Sequence, residues 1–141
     1  MIKNYLGKIS GPLLDRIDIQ IEVSNIKYNE LYKKKNIETS EVIRKRVNAA
    51  RIIQKQRYKN DGIFSNSELT PKLLEKYCEL SNSSKKILEL AFENLKLSSR
   101  AYARILKVAR TIADLDGEIQ IQDNHLLEAI QYRALDKKYI N

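Results

Sequence analysis

The stretch Ser98-Ser-Arg-Ala-Tyr-Ala-Arg-Ile-Leu-Lys-Val-Ala-Arg-Thr-Ile-Ala-Asp-Leu-Asp-Gly117 decides the fold of this 141-residue chain. It begins with a serine, a residue type that caps helices, and it ends with a glycine, which favours the left-handed position that terminates them. Between these ends, apolar residues recur at helical spacing, at Ala101, Ile105, Val108, Ala109, Ile112 and Leu115. The pattern predicts a long helix with one buried face, on which Arg110 pairs with Asp114 one turn further on.

Similar signals predict four more helices. Their expected starts are Thr39 or Ser40, Thr70-Pro71, Ser81 and Asp123, and their expected ends lie near Arg57, Leu80, Leu95 and Ala134. In the first of them Val42, Ile43, Val47, Ala50 and Ile53 or Gln54 share one face. Short loops between amphipathic helices indicate an antiparallel bundle. The predicted fold is therefore mainly α, a bundle of four to five helices.

One short β-strand is predicted ahead of this bundle. Residues 17–23, Ile-Asp-Ile-Gln-Ile-Glu-Val, alternate between apolar and polar side chains, as in a half-buried strand. A single strand cannot satisfy its own backbone hydrogen bonds, and the chain has no convincing second strand. We expect either that the strand belongs to a sheet of a longer protein, or that these residues find a makeshift partner.

The positive charge of the chain is concentrated in one segment. The net charge is +8, and residues 33–59 hold ten Lys or Arg against two acids, whereas the other residues balance at sixteen of each sign. Such a stripe is typical of a surface that binds a phosphate backbone, and a solvated, lysine-rich helix face is the alternative. The candidate nucleic-acid contacts are Arg44, Lys45, Arg46, Arg51, Lys55 and Arg57.

The remaining composition excludes several classes of protein. No apolar run approaches the length of a membrane span, and the first residues do not form a signal peptide, so a cytoplasmic protein without membrane contact is predicted. The single cysteine, Cys78, has no disulfide partner or zinc-ligand spacing and is expected in the core. The single histidine, His125, is expected at the surface or at a helix end, and no metal site is predicted.

Two arginines are suited to bind the phosphates of a nucleotide. Arg16 follows a Gly-Pro turn and directly precedes the predicted strand, where a guanidinium can reach a phosphate held by a neighbouring subunit. Arg100 lies in the first turn of its helix, an end that favours anions, and Arg104 follows on the same face. The alternatives are an Arg16 paired with Asp15 or Asp18 on a surface turn, and ordinary solvated arginines on the helix.

Several runs resemble one family. Ile9-Ser-Gly-Pro-Leu-Leu-Asp-Arg-Ile-Asp18, Leu97-Ser-Ser-Arg100, Arg104-Ile-Leu-Lys-Val-Ala-Arg-Thr-Ile-Ala-Asp-Leu115 and Glu128-Ala-Ile-Gln-Tyr-Arg133 are similar to the C-terminal part of the magnesium-chelatase-like AAA+ ATPases of the ComM (YifB) type. The resemblance implies that residues 1–35 are a remnant of the ATPase core and that residues 36–141 are the helical lid. It implies a hexamer that hydrolyses ATP with Mg²⁺. In that hexamer Arg16 is the finger acting across the subunit boundary and Arg100 is the sensor-2 arginine, both catalytic. Arg104, which lies on the same face as Arg100, would lie over the bound nucleotide.

The resemblance also implies a role in DNA branch migration during natural transformation, or in metal insertion into porphyrin as in true chelatase subunits. The chain has no G-x-x-x-x-G-K-[S/T] motif. We therefore expect it to be inactive alone and to need an upstream ATPase core to bind ATP. The rival hypotheses are a stand-alone basic helical module that binds nucleic acid, and a purely structural oligomerisation module.

Overall fold

The computed structural model describes residues 13, 16–25 and 38–133, and this part of the chain contains five α-helices. They are α1 (Ser40–Arg57), α2 (Pro71–Tyr77), α3 (Asn82–Leu95), α4 (Ser99–Leu115) and α5 (Asp123–Gln131). One turn of 3₁₀ helix, Asn66–Glu68, lies between α1 and α2. The predicted mainly helical fold is confirmed.

Side-chain caps fix where four of the helices begin. Thr39, Thr70, Ser81 and Ser98 each accept a hydrogen bond from the backbone N–H three residues further on, at 3.4, 3.4, 3.0 and 3.2 Å. These are the predicted starts, because capping depends only on local sequence. The cap of α5 differs from the prediction, since Gln122 occupies that position and Asp123 is the first helical residue. Gly117 follows α4 with φ +74°, as the left-handed position requires.

The core is built around α4, which contacts α1, α2, α5 and the 3₁₀ turn. Ala109 and Ala113 on α4 are completely buried, and such small side chains let neighbouring helices approach closely. Ile105 of α4 and Leu126 of α5 fill the space beside them. Cys78 is 4% exposed and belongs to the same core, as predicted.

Only the second half of α1 packs against the bundle. Ala50 and Gln54 are buried, whereas all residues from 40 to 49 are exposed. Val42, Ile43 and Val47 were predicted to share the face of Ala50, and they are 48%, 41% and 45% exposed. The helix continues past the edge of the described bundle, so its first half has nothing to pack against there.

The predicted strand does not form. Residues 17–25 contain no strand, and no β-strand occurs elsewhere in the described residues. The apolar side chains Ile19, Ile21 and Val23 are 49%, 66% and 85% exposed, because no second strand covers them. The Gln20 N–H instead donates to the carbonyl of Tyr132 at 3.0 Å, which is the makeshift partner that the sequence allowed.

Some predictions fall outside the described residues. They concern the Ser10-Gly-Pro turn, the linker before residue 36, the lysines at 33–35 and the end of the last helix at Ala134. The division into residues 1–35 and 36–141 stays a prediction. Among the described helices, none combines the length and the apolar character that a bilayer-crossing segment needs.

Candidate functional site

Arg16 lies on a turn, with its side chain exposed. Its backbone N–H donates to the carbonyl of Leu13 at 3.0 Å. Asp18, one of the two acids expected as an alternative partner for Arg16, forms an ion pair with Arg104 instead. Asp15, the other one, lies outside the described residues. The Arg16 guanidinium is thus placed on the surface, where a phosphate outside this chain can reach it.

Arg100 occupies the first turn of α4, as predicted. Ser98 accepts the N–H of Ala101, and the remaining unpaired N–H groups of this turn, together with the helix dipole, favour an anion nearby. The Arg100 side chain is exposed. The helix end and the guanidinium therefore offer positive charge in the same place.

The cations that follow Arg100 on α4 are held by other parts of the chain. Arg104 is 30% exposed at its side chain and pairs with Asp18, which is 51% exposed. The Lys107 ammonium donates to the carbonyl of Ser67 at 2.7 Å. Among the described residues, no ion pair or hydrogen bond of this kind holds the guanidinium of Arg100, the remaining cation on this face of α4. Arg104 was predicted to bind the nucleotide, and the structure places it on Asp18.

The six basic residues of α1 fall into three groups. Lys45 and Arg46 form exposed ion pairs with Glu41 and Glu38, at 3.0 and 2.6 Å. Arg57 has only 14% of its side chain exposed and pairs with Asp114 in the interior. Arg44, Arg51 and Lys55 are exposed, and they form no ion pair with any described residue.

The interior of the bundle contains a polar cluster centred on Asp114. Its carboxylate accepts from Arg57 (2.9 Å), from Arg110 Nε (3.1 Å) and from the Asn66 amide (2.9 Å). Asn66 also donates to Thr111 at 2.9 Å. Its amide oxygen accepts the hydroxyl of the buried Tyr58 at 2.5 Å. The pairing of Arg110 with Asp114, predicted from the sequence, is confirmed.

Electrostatics in this cluster follow from burial and charge. Burial alone would lower the pKa of Arg57, but the hydrogen bonds and charge of Asp114 outweigh it and raise that pKa. Burial lowers the pKa of Arg110 against the attraction of Asp114, yet a guanidinium remains protonated in proteins. Arg110 also donates to the carbonyls of Ile119 and Glu118 at 2.8 and 2.6 Å. The cluster joins α1, the 3₁₀ turn, α4 and the loop after α4 and serves the fold, because its polar groups are paired with one another inside the chain.

The sequence pattern does not reveal the long-range contacts of three buried residues, Asn66, Asp114 and Arg133. The sequence places Asn66 in an ordinary loop. In the structure Asn66 is 3% exposed and links α1 to α4 through hydrogen bonds with Gln54 and Thr111. Arg133 is completely buried and donates to the carbonyl of Ile17. The sequence predicts Asp114 only as the local partner of Arg110, because the contacts of Asp114 with Asn66 and Arg57 cross 48 and 57 residues of sequence. Spacing arguments do not detect contacts of that range.

His125 lies in the first turn of α5 and is 1% exposed, so it is a helix-end residue but not a surface one. Its Nδ1 accepts the N–H of Gln122, and its Nε2 lies 3.1 Å from Asp116. The ring thus caps α5 from within. In the part of the chain that the structure describes, no three His, Cys, Asp or Glu side chains are grouped to hold a metal ion.

A cleft of about 430 Å³ opens between α2, α3 and α4. Its apolar side chains include Leu80, Leu88, Phe92 and Tyr102, and its rim carries three glutamates, Glu75, Glu79 and Glu89, against Lys85. An excess of carboxylates disfavours a bound phosphate. The cleft is therefore unsuited to a nucleotide, although Tyr102 lies on α4 close to Arg100.

Comparisons with known proteins agree on one family. A family model described as magnesium chelatase, subunit ChlI C-terminal, matches residues 37–133, and one described as magnesium chelatase, subunit ChlI, matches residues 1–31. The competence protein ComM of Haemophilus influenzae is 44% identical over 135 residues, which cover 95% of this chain and 26% of that protein. The protein YifB is 40% identical over 138 residues in Salmonella typhimurium and 37% identical over 139 residues in Escherichia coli. Each of these matches covers 97% of this chain and 26% of the relative.

The chain thus spans about a quarter of the length of the curated relatives that it matches. The matched residues include all five helices and the segment that carries Arg16. This chain belongs to the magnesium chelatase family, in the group that includes ComM and YifB, and its helices correspond to the family's C-terminal region.

Proposed function

We propose that this chain is the helical lid of a hexameric AAA+ ATPase and that it supplies two arginines to ATP hydrolysis. Arg16 acts on ATP and Mg²⁺ held by the core of a neighbouring subunit. Arg100 acts on the nucleotide held by the upstream core of its own protein. The observation that carries the proposal is that both guanidinium groups are exposed while the other α4 cations of that face are occupied by protein partners.

The two arginines have different expected effects on kinetics. A finger arginine stabilises charge that develops only as the phosphoryl group is transferred, and such groups contribute about 10³- to 10⁵-fold in rate. Arg100 also contacts the ground-state phosphates, so its loss should weaken binding as well. Arg16→Ala should therefore lower kcat with little change in KM, whereas Arg100→Ala should raise KM and lower kcat.

The test is steady-state ATPase activity of the full-length protein carrying each substitution. Lys72→Ala removes an exposed cation on α2, a different helix from the one that carries Arg100, and serves as the matched control. Turnover at the wild-type rate in both arginine variants would overturn the proposal. The 141-residue chain alone should show no turnover.

DNA is the substrate that we propose for this motor, acted on by remodelling or branch migration. The Haemophilus relative is named a competence protein, and α1 carries a basic stripe. Arg44, Arg51 and Lys55 follow one another at intervals of seven and four residues, so they lie on one face of α1 over about 17 Å. Arg57 is not part of this surface, because its guanidinium pairs with Asp114 in the interior.

Salt dependence tests the DNA surface directly. Fluorescence anisotropy with a duplex oligonucleotide gives the binding constant at several salt concentrations. The slope of the logarithm of this constant against the logarithm of the salt concentration should become shallower by about 0.9 for each lost phosphate contact. Arg44→Ala, Arg51→Ala and Lys55→Ala should each show this loss, whereas Lys72→Ala should leave the slope unchanged. An unchanged slope in the triple variant would exclude this face. If DNA also fails to change the ATPase rate, the role of a metal-chelatase motor, which the family's name suggests, is favoured instead.

A further inference from the structure

Three hydrogen bonds or ion pairs between described residues fasten the segment that carries Arg16 to the helical bundle. The Asp18 carboxylate pairs with Arg104 on α4, and the carbonyl of Ile17 accepts from Arg133 just after α5. The Gln20 N–H donates to the carbonyl of Tyr132 at 3.0 Å. The two side-chain contacts cross 86 and 116 residues of sequence. The position of residues 16–20 is therefore set by two distant helices.

Polar contacts, and not apolar burial, hold this segment. Ile17 and Ile19 are 41% and 49% exposed and do not belong to the core cluster, so neither side chain is anchored in the core. Arg133, by contrast, is completely buried and provides a fixed donor in the bundle. With little burial to compensate, the loss of one polar contact should loosen the segment locally and leave the core intact.

Arg104 is one helical turn beyond Arg100 on α4. Residues four apart on a helix lie on the same face, so a single rigid element carries Arg100 and holds the segment of Arg16 through Asp18. A movement of α4 that follows a change at Arg100 is then passed on to Arg16. The pair of Asp18 and Arg104 is the connection between them.

We propose that Arg104 is a positioning residue that holds Arg16 in place through Asp18, and that it does not bind the nucleotide. The proposal rests on the proposed function of Arg16 and Arg100. It gives the Asp18–Arg104 pair a regulatory task. The nucleotide sensed by Arg100 in one subunit sets the position of Arg16, which enters the ATP site of the next subunit. ATP hydrolysis at neighbouring sites is thereby coupled.

The first test concerns the contact itself and needs only the 141-residue chain. Hydrogen exchange at the Gln20 amide reports whether the segment is docked, because this N–H donates to Tyr132. Partly exposed ion pairs change such an equilibrium by up to about fivefold, so Arg104→Ala and Asp18→Asn should speed exchange at Gln20 to that extent. Arg104→Lys should keep most of the protection. The amide of Ala109, in the core of α4, is the internal control and should be unaffected.

The second test is the ATPase activity of the full-length protein. Arg104→Ala should lower kcat by up to about fivefold, the same limit as for Gln20 exchange, and leave KM unchanged, because a misplaced catalytic group costs rate and not ground-state binding. The exchange of charges, Asp18→Arg with Arg104→Asp, should restore kcat in part. A phosphate-binding Arg104 predicts the opposite result, a raised KM that the exchange does not rescue.

The two tests separate the possible failures. If Gln20 exchange is unchanged in Arg104→Ala, the connection does not exist, whatever the role of Arg16. If exchange accelerates but Arg16→Ala keeps wild-type turnover, the connection exists and the finger role of Arg16 is wrong. If exchange accelerates and Arg104→Ala raises KM, Arg104 contacts the nucleotide and the positioning role is wrong.

Discussion

Replacement of Asp114 by alanine should be among the most damaging single changes in the bundle. The Asp114 side chain is 0% exposed, and Arg110 beside it is 2% exposed, so the substitution leaves a buried guanidinium without a counter-charge. Removing one partner of a buried ion pair costs about 3–5 kcal/mol. Arg57 adds less to this cost, because 14% of its side chain is exposed and it can turn towards water.

This magnitude is large compared with the stability of a domain. Folded domains are typically stable by about 5–15 kcal/mol, so a cost of about 3–5 kcal/mol in Asp114→Ala should remove at least about a fifth of the total, and most of it in a domain at the lower end of this range. The melting temperature should fall by about 3 °C for each kcal/mol in a chain of this length, hence by about 10–15 °C. Urea unfolding followed by circular dichroism at 222 nm gives the free energy of unfolding directly.

The control and the companion variant make the test specific. Glu41→Ala breaks an exposed pair with Lys45 and should cost no more than about 1 kcal/mol. Combining Asp114→Leu with Arg110→Met removes both buried charges and should recover much of the loss. A loss below 1 kcal/mol in Asp114→Ala, with an unchanged m-value, would refute the reasoning that this carboxylate neutralises the interior.

Three further predictions follow from local contacts. Burial raises the pKa of the Cys78 thiol to about 11. At pH 8 the folded chain should therefore resist alkylation at Cys78, whereas the unfolded chain should be alkylated, as mass spectrometry can measure. Rapid labelling of the folded chain would contradict this prediction. Hydrogen bonds from the hydroxyls of Ser84 and Ser83 lower the pKa of Asp123. The ionised Asp123 carboxylate therefore stabilises the fold above about pH 4, and this stabilisation is lost as the pH falls through the lower pKa of the folded state. The Asp123→Asn variant should consequently lose less stability than the wild type between pH 6 and pH 3, as urea titrations can measure. Ser98→Ala removes the cap of α4 and should cost about 1 kcal/mol in thermal unfolding, whereas equal losses in Ser98→Ala and Ser99→Ala would argue against the cap.

The helix boundaries could be predicted because their causes are local. Each capping side chain accepts a hydrogen bond from a backbone N–H only three residues further on, so both partners lie within one short stretch of sequence. This holds for Thr39, Thr70, Ser81 and Ser98. The same holds for Arg110 and Asp114, which are four residues apart on one helix. Interactions of this range leave a signal in spacing.

The conformation of residues 17–23 and the partners of the buried polar residues depend on long-range contacts, which residue spacing does not reveal. The apolar pattern of residues 17–23 predicts a strand, but a strand also needs a neighbouring strand, and the described residues contain none. Asn66 and Arg133 are ordinary polar residues in sequence and become buried donors only when distant helices meet. Arg104 was placed on the correct face of α4, yet its partner is 86 residues away.

The half-anchored first helix has a mechanical consequence. Its 18 residues measure about 27 Å, and only the half that contains Ala50 and Gln54 is held by the bundle. A lever of this kind amplifies rotation, since a turn of about 20° about the anchored half carries the tip near Ser40 through roughly 5 Å. A rotation of the bundle would thus move the surface that displays Val42, Ile43 and Val47 farther than it moves the packed half of the helix.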